Sequence, residues 1–183
     1  MRLDRSFYLL DAYNLGQKLL GKVLCIIKNK EVLRFRIVET ESYGGGYDRA
    51  CHAFNFKYTK RTRSLYLIGG SLYIYLIYGM HNMLNITANK ENIPEAVLIR
   101  AIEPLGNNLT NTNGPGKLCK TLSIDRTFNE VDLTISDNIY LEDDGYIPKE
   151  IVYTKRINID YAKDDKNRLW RFYIQDNPYV SKK

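Results

Sequence analysis

The sequence predicts one α+β domain, and three observations predict it. A segment near the N-terminus carries leucines at helical spacing. β-Branched runs follow it, divided by turn residues in the rhythm of an antiparallel meander. The chain has 183 residues, 44% of them hydrophobic, which is one domain's worth of core across residues 1–183 with at most a short tail.

The elements follow in order. Over residues 11–20, Leu15, Leu19 and Leu20 continue the spacing begun by Leu10, and Gly21 is a natural stop. Residues 23–27 and 32–38 are β-branched runs separated by Lys28-Asn29-Lys30-Glu31, a hairpin pattern. Residues 42–65 hold three consecutive glycines and a basic cluster with little periodicity, and read as a long loop. Residues 72–77, 83–88 and 96–102 read as strands, reversed at Gly79 and at 89–94, which makes a meander. A polar loop at 107–114 leads into a short helix at 116–123. Short strands are expected near 139–141, 151–155 and 170–174, with turns at Asp143-Asp144-Gly145 and Asp164-Asp165-Lys166-Asn167. The tail, 178–183, is expected to be exposed.

Composition excludes several classes. Lys and Arg number 27 against 21 Asp and Glu, a net charge of +6, with a pI near 9.1. That balance fits a polyanionic partner or simply a solvated basic face. Three well-separated cysteines, Cys25, Cys51 and Cys119, oppose a disulfide framework and favour a reducing compartment. With only His52 and His81 and no CxxC, HExxH or HxE…PCxxC pattern, a zinc hydrolase or zinc deaminase is disfavoured, and no metal is expected. The N-terminus lacks a signal-peptide pattern and no stretch reaches membrane-spanning length, so a soluble, cytoplasmic protein with access to nucleic acid is expected.

Tyrosine is the unusual entry in this composition, with 15 residues. A tyrosine stacks through its face and hydrogen-bonds through its tip. Most should line strands, but two places stand out. In Ile37-Val38-Glu39-Thr40-Glu41-Ser42-Tyr43, alternation puts Glu39, Glu41 and Tyr43 on one face of a straight strand. Such a pair is solvated on most strands; beside a glycine loop it can instead stand at a cleft mouth. In Ser71-Leu72-Tyr73-Ile74-Tyr75-Leu76-Ile77-Tyr78-Gly79-Met80, Tyr73 and Tyr75 share a face opposite Leu72, Ile74 and Leu76, an apolar row expected to point into the core, and Tyr78 and Met80 fall at a tight turn. The pattern fits a ligand-free hairpin, or a stacking wall with a wedge of the kind that holds a base out of a duplex. Between these motifs, Lys57, Lys60, Arg61 and Arg63 suit phosphate contacts or a solvated loop. Gly114-Pro115-Gly116-Lys117 is not a phosphate-binding loop motif, since Asn111 and Leu118 break it, yet a helix start with a nearby ammonium can hold a backbone phosphate. Cys51-His52 reads as a buried thiol and a hydrogen-bonded histidine, since sequence neighbours rarely face each other.

In order along the chain, Arg36-Ile37-Val38-Glu39-Thr40-Glu41-Ser42-Tyr43, Ala50-Cys51-His52, Gly70 to Met80, Asn85-Ile86, Leu98-Ile99-Arg100-Ala101-Ile102-Glu103-Pro104-Leu105, Gly114 to Cys119 and Arg171-Phe172-Tyr173 resemble the alkyladenine (3-methyladenine) DNA glycosylase family, the methylpurine glycosylases. The resemblance spans about residues 15–181 and departs from the family pattern at Cys51 and at the polar His81-Asn82-Met83. It implies a mixed α+β domain around a curved antiparallel sheet with flanking helices, no cofactor and no metal, and double-stranded DNA containing damaged purines as partner, bound by a monomer. It implies Glu41 as the base that activates water and Arg100 near the flipped nucleotide's phosphate. Tyr43, His52 and Tyr75 would sandwich the base, Asn85 would disfavour normal guanine, and Tyr78 with Met80 would fill the vacated place in the duplex. Arg61, Arg63 and Lys117 remain candidates for phosphate contacts. The expected activity is monofunctional release of 3-methyladenine, 7-methylguanine or hypoxanthine-class bases, leaving an abasic site. The rival readings are a noncatalytic nucleic-acid-binding module with a tyrosine platform, and a glycosidase for free nucleosides or sugars.

Overall fold

The computed structural model describes residues 1–182. Eight antiparallel strands form one curled sheet: β1 (Val23–Lys28), β2 (Glu31–Tyr43), β3 (Leu72–Ile77), β4 (His81–Ala88), β5 (Glu95–Leu105), β6 (Ile139–Glu142), β7 (Ile151–Thr154) and β8 (Arg171–Ile174). Their main order is β3-β4-β5-β2-β1-β6, with β8 joining β2 and β7 joining β8. The α-helices are α1 (Arg5–Tyr8), α2 (Ala12–Leu19) and α3 (Pro115–Leu122). The α+β class and the meander read from the sequence are therefore those of the protein.

The longest strand organises the rest. β2 runs 13 residues, so one of its edges serves two partners. Its first half pairs with β1, from Lys28 opposite Glu31 to Val23 opposite Arg36, and its second half pairs with β8, where Glu41 lies opposite Arg171. The other edge pairs with β5, and the register shifts on either side of Glu39, which lies opposite Ala101. The β1–β2 hairpin closes through Asn29 and Lys30, both at positive φ (51° and 67°). That conformation suits the twist of a two-residue hairpin turn.

Alternation along β2 decides which residues reach the site. Thr40 and Ser42 point to α2: Thr40 Oγ1 donates to the Gly16 carbonyl (2.8 Å) and Ser42 Oγ to that of Ala12 (2.6 Å). The helix begins at Asp11, whose carboxylate accepts from the Asn14 amide (2.9 Å), and it buries Leu15 and Leu19 against the sheet. Each leucine contributes on the order of 2 kcal/mol by burial. The approach is close enough to require glycine at position 16, where a Cβ would stand 2.3 Å from Ser42 Oγ and 2.9 Å from Phe172. With Thr40 and Ser42 committed to the helix, Glu39, Glu41 and Tyr43 face the other way.

Three expectations are corrected. Residues 42–65 are not a plain loop: β2 runs to Tyr43, and 3-10 turns follow at Gly45–Tyr47, Phe54–Phe56 and Arg63–Tyr66. The segment buries Cys51, Ala53 and Leu65 as a small second core with Tyr73, which its glycine and charge content had masked. Leu76 is 39% exposed rather than in the core, because β3 leaves the body of the sheet before its turn. The tail is not free: Val180 is buried and Ser181 bonds to Glu39, while Lys183 lies outside the described residues.

Candidate active site

A cleft of about 420 Å³ opens where β2, β3 and β5 meet the segment after β7. Glu41, Tyr43, Tyr75, Arg100 and Tyr161 line it, with His52 and Arg61 reaching in from the irregular segment. A narrower recess of about 40 Å³ continues inward past Tyr43, His52 and Tyr75 to Tyr73 and Asn85. Six residues separated by up to 59 positions in sequence, Glu41, Tyr43, His52, Tyr75, Asn85 and Arg100, are thus brought to one connected space.

Glu41 is fully buried as a residue. Its carboxylate accepts from the Tyr43 hydroxyl (2.9 Å) and the Ile157 amide (2.7 Å), and Arg100 Nη1 stands 3.3 Å away. Burial pushes its carboxyl above the usual value, and Arg100, the Ile157 amide and Tyr43 oppose that rise without cancelling it. Glu39 is equally buried but differently placed. It accepts from Arg100 Nε (2.8 Å), Arg171 Nε (2.7 Å), and the Ser181 amide (2.6 Å) and hydroxyl (2.9 Å). Burial works against its charge, but Arg100, the Ser181 amide and Arg171 outweigh it and hold the carboxyl below the usual range.

The aromatic walls are interlocked. His52 meets Tyr75 edge-on, centroids 4.6 Å apart at 77°, and shares a hydrogen bond with the Tyr73 hydroxyl through Nδ1 (2.9 Å). Burial, with Arg61 nearby, brings His52 down to about 4, so the ring is neutral at neutral pH. Burial lifts the Tyr73 phenol to about 12 and pushes Tyr75 up as well. Behind Tyr43 stands Arg156, whose side chain is fully buried. Its guanidinium lies 5.1 Å from the Tyr43 ring centroid and 5.3 Å from that of Trp170. It pairs with Asp48 (2.5 and 2.9 Å) and donates to the Ser42 carbonyl (2.9 Å). Arg156 therefore fixes both the aromatic ring and the backbone from which the next residue, Ile157, reaches Glu41.

The other expected residues divide. Tyr78 and Met80 occupy the β3–β4 turn, 80% and 70% exposed, and Tyr78 has a positive φ of 52°. Asn85 lies at the end of the recess, its amide donating to the carbonyls of Tyr73 (3.1 Å) and Met83 (3.2 Å). Arg61 lies at the rim, 5.7 Å from the Tyr75 centroid. Arg63 turns instead to Glu130 (3.2 Å), and Lys117 bonds Asn113 Oδ1 (3.1 Å) outside the cleft. A second groove of about 480 Å³ crosses the outer side of β3 and shares Arg61 and Tyr75 with the cleft; Lys60 and Arg126 complete its basic lining. Cys51 is buried, its thiol pushed to about 11 by burial, and forms no dyad with His52. Among the described residues, no three His, Cys, Asp or Glu side chains are grouped to hold a metal ion, and no helix is long and apolar enough to cross a membrane.

Sequence reading missed Arg156, Asp48, Tyr161 and Arg126. No local pattern marks them, since Arg156 meets Ser42 across 114 positions. Arg171 sat in a quoted motif, but its pairing with Glu39 depends on β8 joining β2.

Comparison with known proteins shows the family. Residues 6–178 match the family described as methylpurine-DNA glycosylase (MPG). A Borrelia garinii subsp. bavariensis protein named "Putative 3-methyladenine DNA glycosylase" is 50% identical over 186 residues, covering 99% of this chain and all of the relative. Proteins of the same name from Clostridium novyi and Natranaerobius thermophilus are 46% and 44% identical; the first alignment covers all of this chain and 99% of the relative, the second 99% of each. With a family match along almost its whole length and full-length relatives at this identity, the chain belongs to the methylpurine-DNA glycosylase family.

Proposed function

We propose that the protein is a monofunctional DNA repair glycosylase. It turns an alkylated or deaminated purine out of duplex DNA and hydrolyses the bond between the base and its deoxyribose. The observation that carries this reading is the placement of Glu41: a buried carboxylate, held by Tyr43, Ile157 and Arg100, at the wall of an aromatic cleft.

The chemistry follows from the groups present. The cleft has tyrosine and neutral histidine faces, which favour an electron-poor or cationic ring. A 3- or 7-alkylpurine carries a positive charge, so the C1′–N bond breaks with both electrons going to the base, which leaves neutral. Water adds to C1′ and gives its proton to Glu41, whose raised basicity suits that task. The carboxylate also steadies the oxocarbenium-like sugar, and Arg100 balances the negative charge of Glu41 beside the flipped nucleotide. Hypoxanthine is neutral and needs a proton to leave, so its release falls as pH rises. Asn85 meets the purine edge at the end of the recess. Tyr78 and Met80 occupy the gap in the stack. Arg61, Lys60 and Arg126 hold flanking phosphates along the β3 groove, a better set than Arg63 and Lys117, which are bonded elsewhere.

The test is chromatographic base release from methylated and inosine-containing duplexes. Glu41→Gln is expected to lower release by about 10²–10⁴-fold while retaining binding to damaged DNA. Undiminished release by that variant rejects the assignment of Glu41. An absence of release by the wild type favours a noncatalytic binding module.

A further inference from the structure

Glu39 has no part in the reaction derived above, yet it is ringed by four donors and fully buried. Two of the four come from Ser181, and Arg171 also donates to the Lys182 carbonyl. This segment lies beyond the family match, which ends at residue 178. It is seated, not loose: Val180 is buried, the Tyr179 amide donates to Asn177 Oδ1 (2.9 Å), and Asn177 reaches Glu103 (3.0 Å). Arg100 joins the two carboxylates, with Nε 2.8 Å from Glu39 and Nη1 3.3 Å from Glu41. The result is a continuous path, Ser181 to Glu39 to Arg100 to Glu41.

We propose that Ser181 and Glu39 are positioning residues for base excision: the docked C-terminal segment fixes Glu39, Glu39 fixes the Arg100 guanidinium, and Arg100 fixes Glu41. The proposal rests on Glu41 being the base.

The charges explain why each part is needed. Glu39 and Glu41 are balanced by Arg100 and Arg171, so the buried quartet is neutral. Arg171 takes a share of Glu39 and leaves one face of Arg100 free for Glu41. Glu39 Oε2 takes its bond from the Ser181 amide alone; the other three donors crowd Oε1. Losing that amide leaves a buried anionic oxygen without a partner, which proteins avoid. The nearest repair is for Glu39 to turn and draw Arg100 with it, away from Glu41. Glu41 would keep the Tyr43 hydroxyl and the Ile157 amide. Its remaining charged or titratable surroundings are Arg156 beyond the Tyr43 ring, the Tyr75 and Tyr161 phenols, and the like charge of Glu39. With its nearest cation displaced, Glu41 would bind its proton at higher pH.

The experiment is the pH profile of single-turnover 7-methylguanine release, a cationic base whose departure needs no added proton, so the acid limb reports the base. Ser181→Pro removes the amide and hydroxyl donors; Ser181→Ala removes only the hydroxyl. The acid limb is expected to move upward by about one pH unit in the first and by less in the second, with binding to an uncleavable abasic-analogue duplex unchanged within about twofold. An unmoved limb in both overturns the proposal, as does a uniform loss of rate and binding that tracks the melting temperature. If the proline variant does not fold, the alanine variant alone decides by the same limb. Glu41→Gln separates the two levels: if it retains release, the base assignment itself fails, whereas an inactive Glu41→Gln with an unmoved limb rejects only the positioning role.

Discussion

The floor of the cleft and the tip of the β3–β4 hairpin are built on opposite principles. At the floor, Glu39, Glu41, Arg100 and Arg171 are buried, each charge has a partner, and strands from three parts of the chain hold them. At the tip, Tyr78 and Met80 are largely exposed, and a Cβ at Gly79 would meet nothing within 4 Å. In the proposed function the floor is complete in the free protein because charges oriented before reaction favour the transition state. The tip has no packing of its own, and in the proposed function the stacked bases of DNA supply it.

This contrast can be broken or sharpened by substitution. Beyond the loss of base release expected for Glu41→Gln, the largest effect should come from Arg156→Gln. It leaves Asp48 buried and unpaired, and a destabilisation of about 3–5 kcal/mol is expected in denaturant titration. A loss under about 1 kcal/mol would remove Arg156 from the frame of the floor. Next is acid sensitivity through His52. Its value near 4 lies below the ordinary 6.5, so the folded state binds fewer protons there. The stabilisation is full above pH 6.5 and is lost as pH falls toward 4, by at most about 3 kcal/mol. His52→Phe should lose less stability than wild type between those limits; equal losses would show that folding leaves the proton affinity of His52 unchanged.

At the tip, Tyr78→Ala should weaken capture of the extruded base by about 1–3 kcal/mol and alter folding stability by less than about 0.5 kcal/mol. A fluorescent base analogue reports the flip, and equal flipping by both proteins contradicts the wedge role. The smallest effect is expected at the groove: Arg126→Gln should lower the slope of log binding against log salt by about 1. An unchanged slope would take the DNA backbone off the β3 edge.

Much of the fold was legible in the sequence because local rules produce it. The β-branched runs with their turn residues marked the strands, and the period-two alternation of 39–43 put Glu39, Glu41 and Tyr43 together. The buried half of 42–65 was hidden because its small core is assembled from residues without periodicity, and the tail was misjudged because its partner lies 142 positions away. By itself, then, the sequence determined the strands, the antiparallel meander and the motifs that mark the family. Only the tertiary structure decided which of two nearby glutamates is saturated with donors and which is left to face the cleft. Strand alternation is a property of the local backbone, whereas a carboxylate's proton affinity is set by charges and amides brought to it from β5, β8, the segment after β7 and the C-terminal tail.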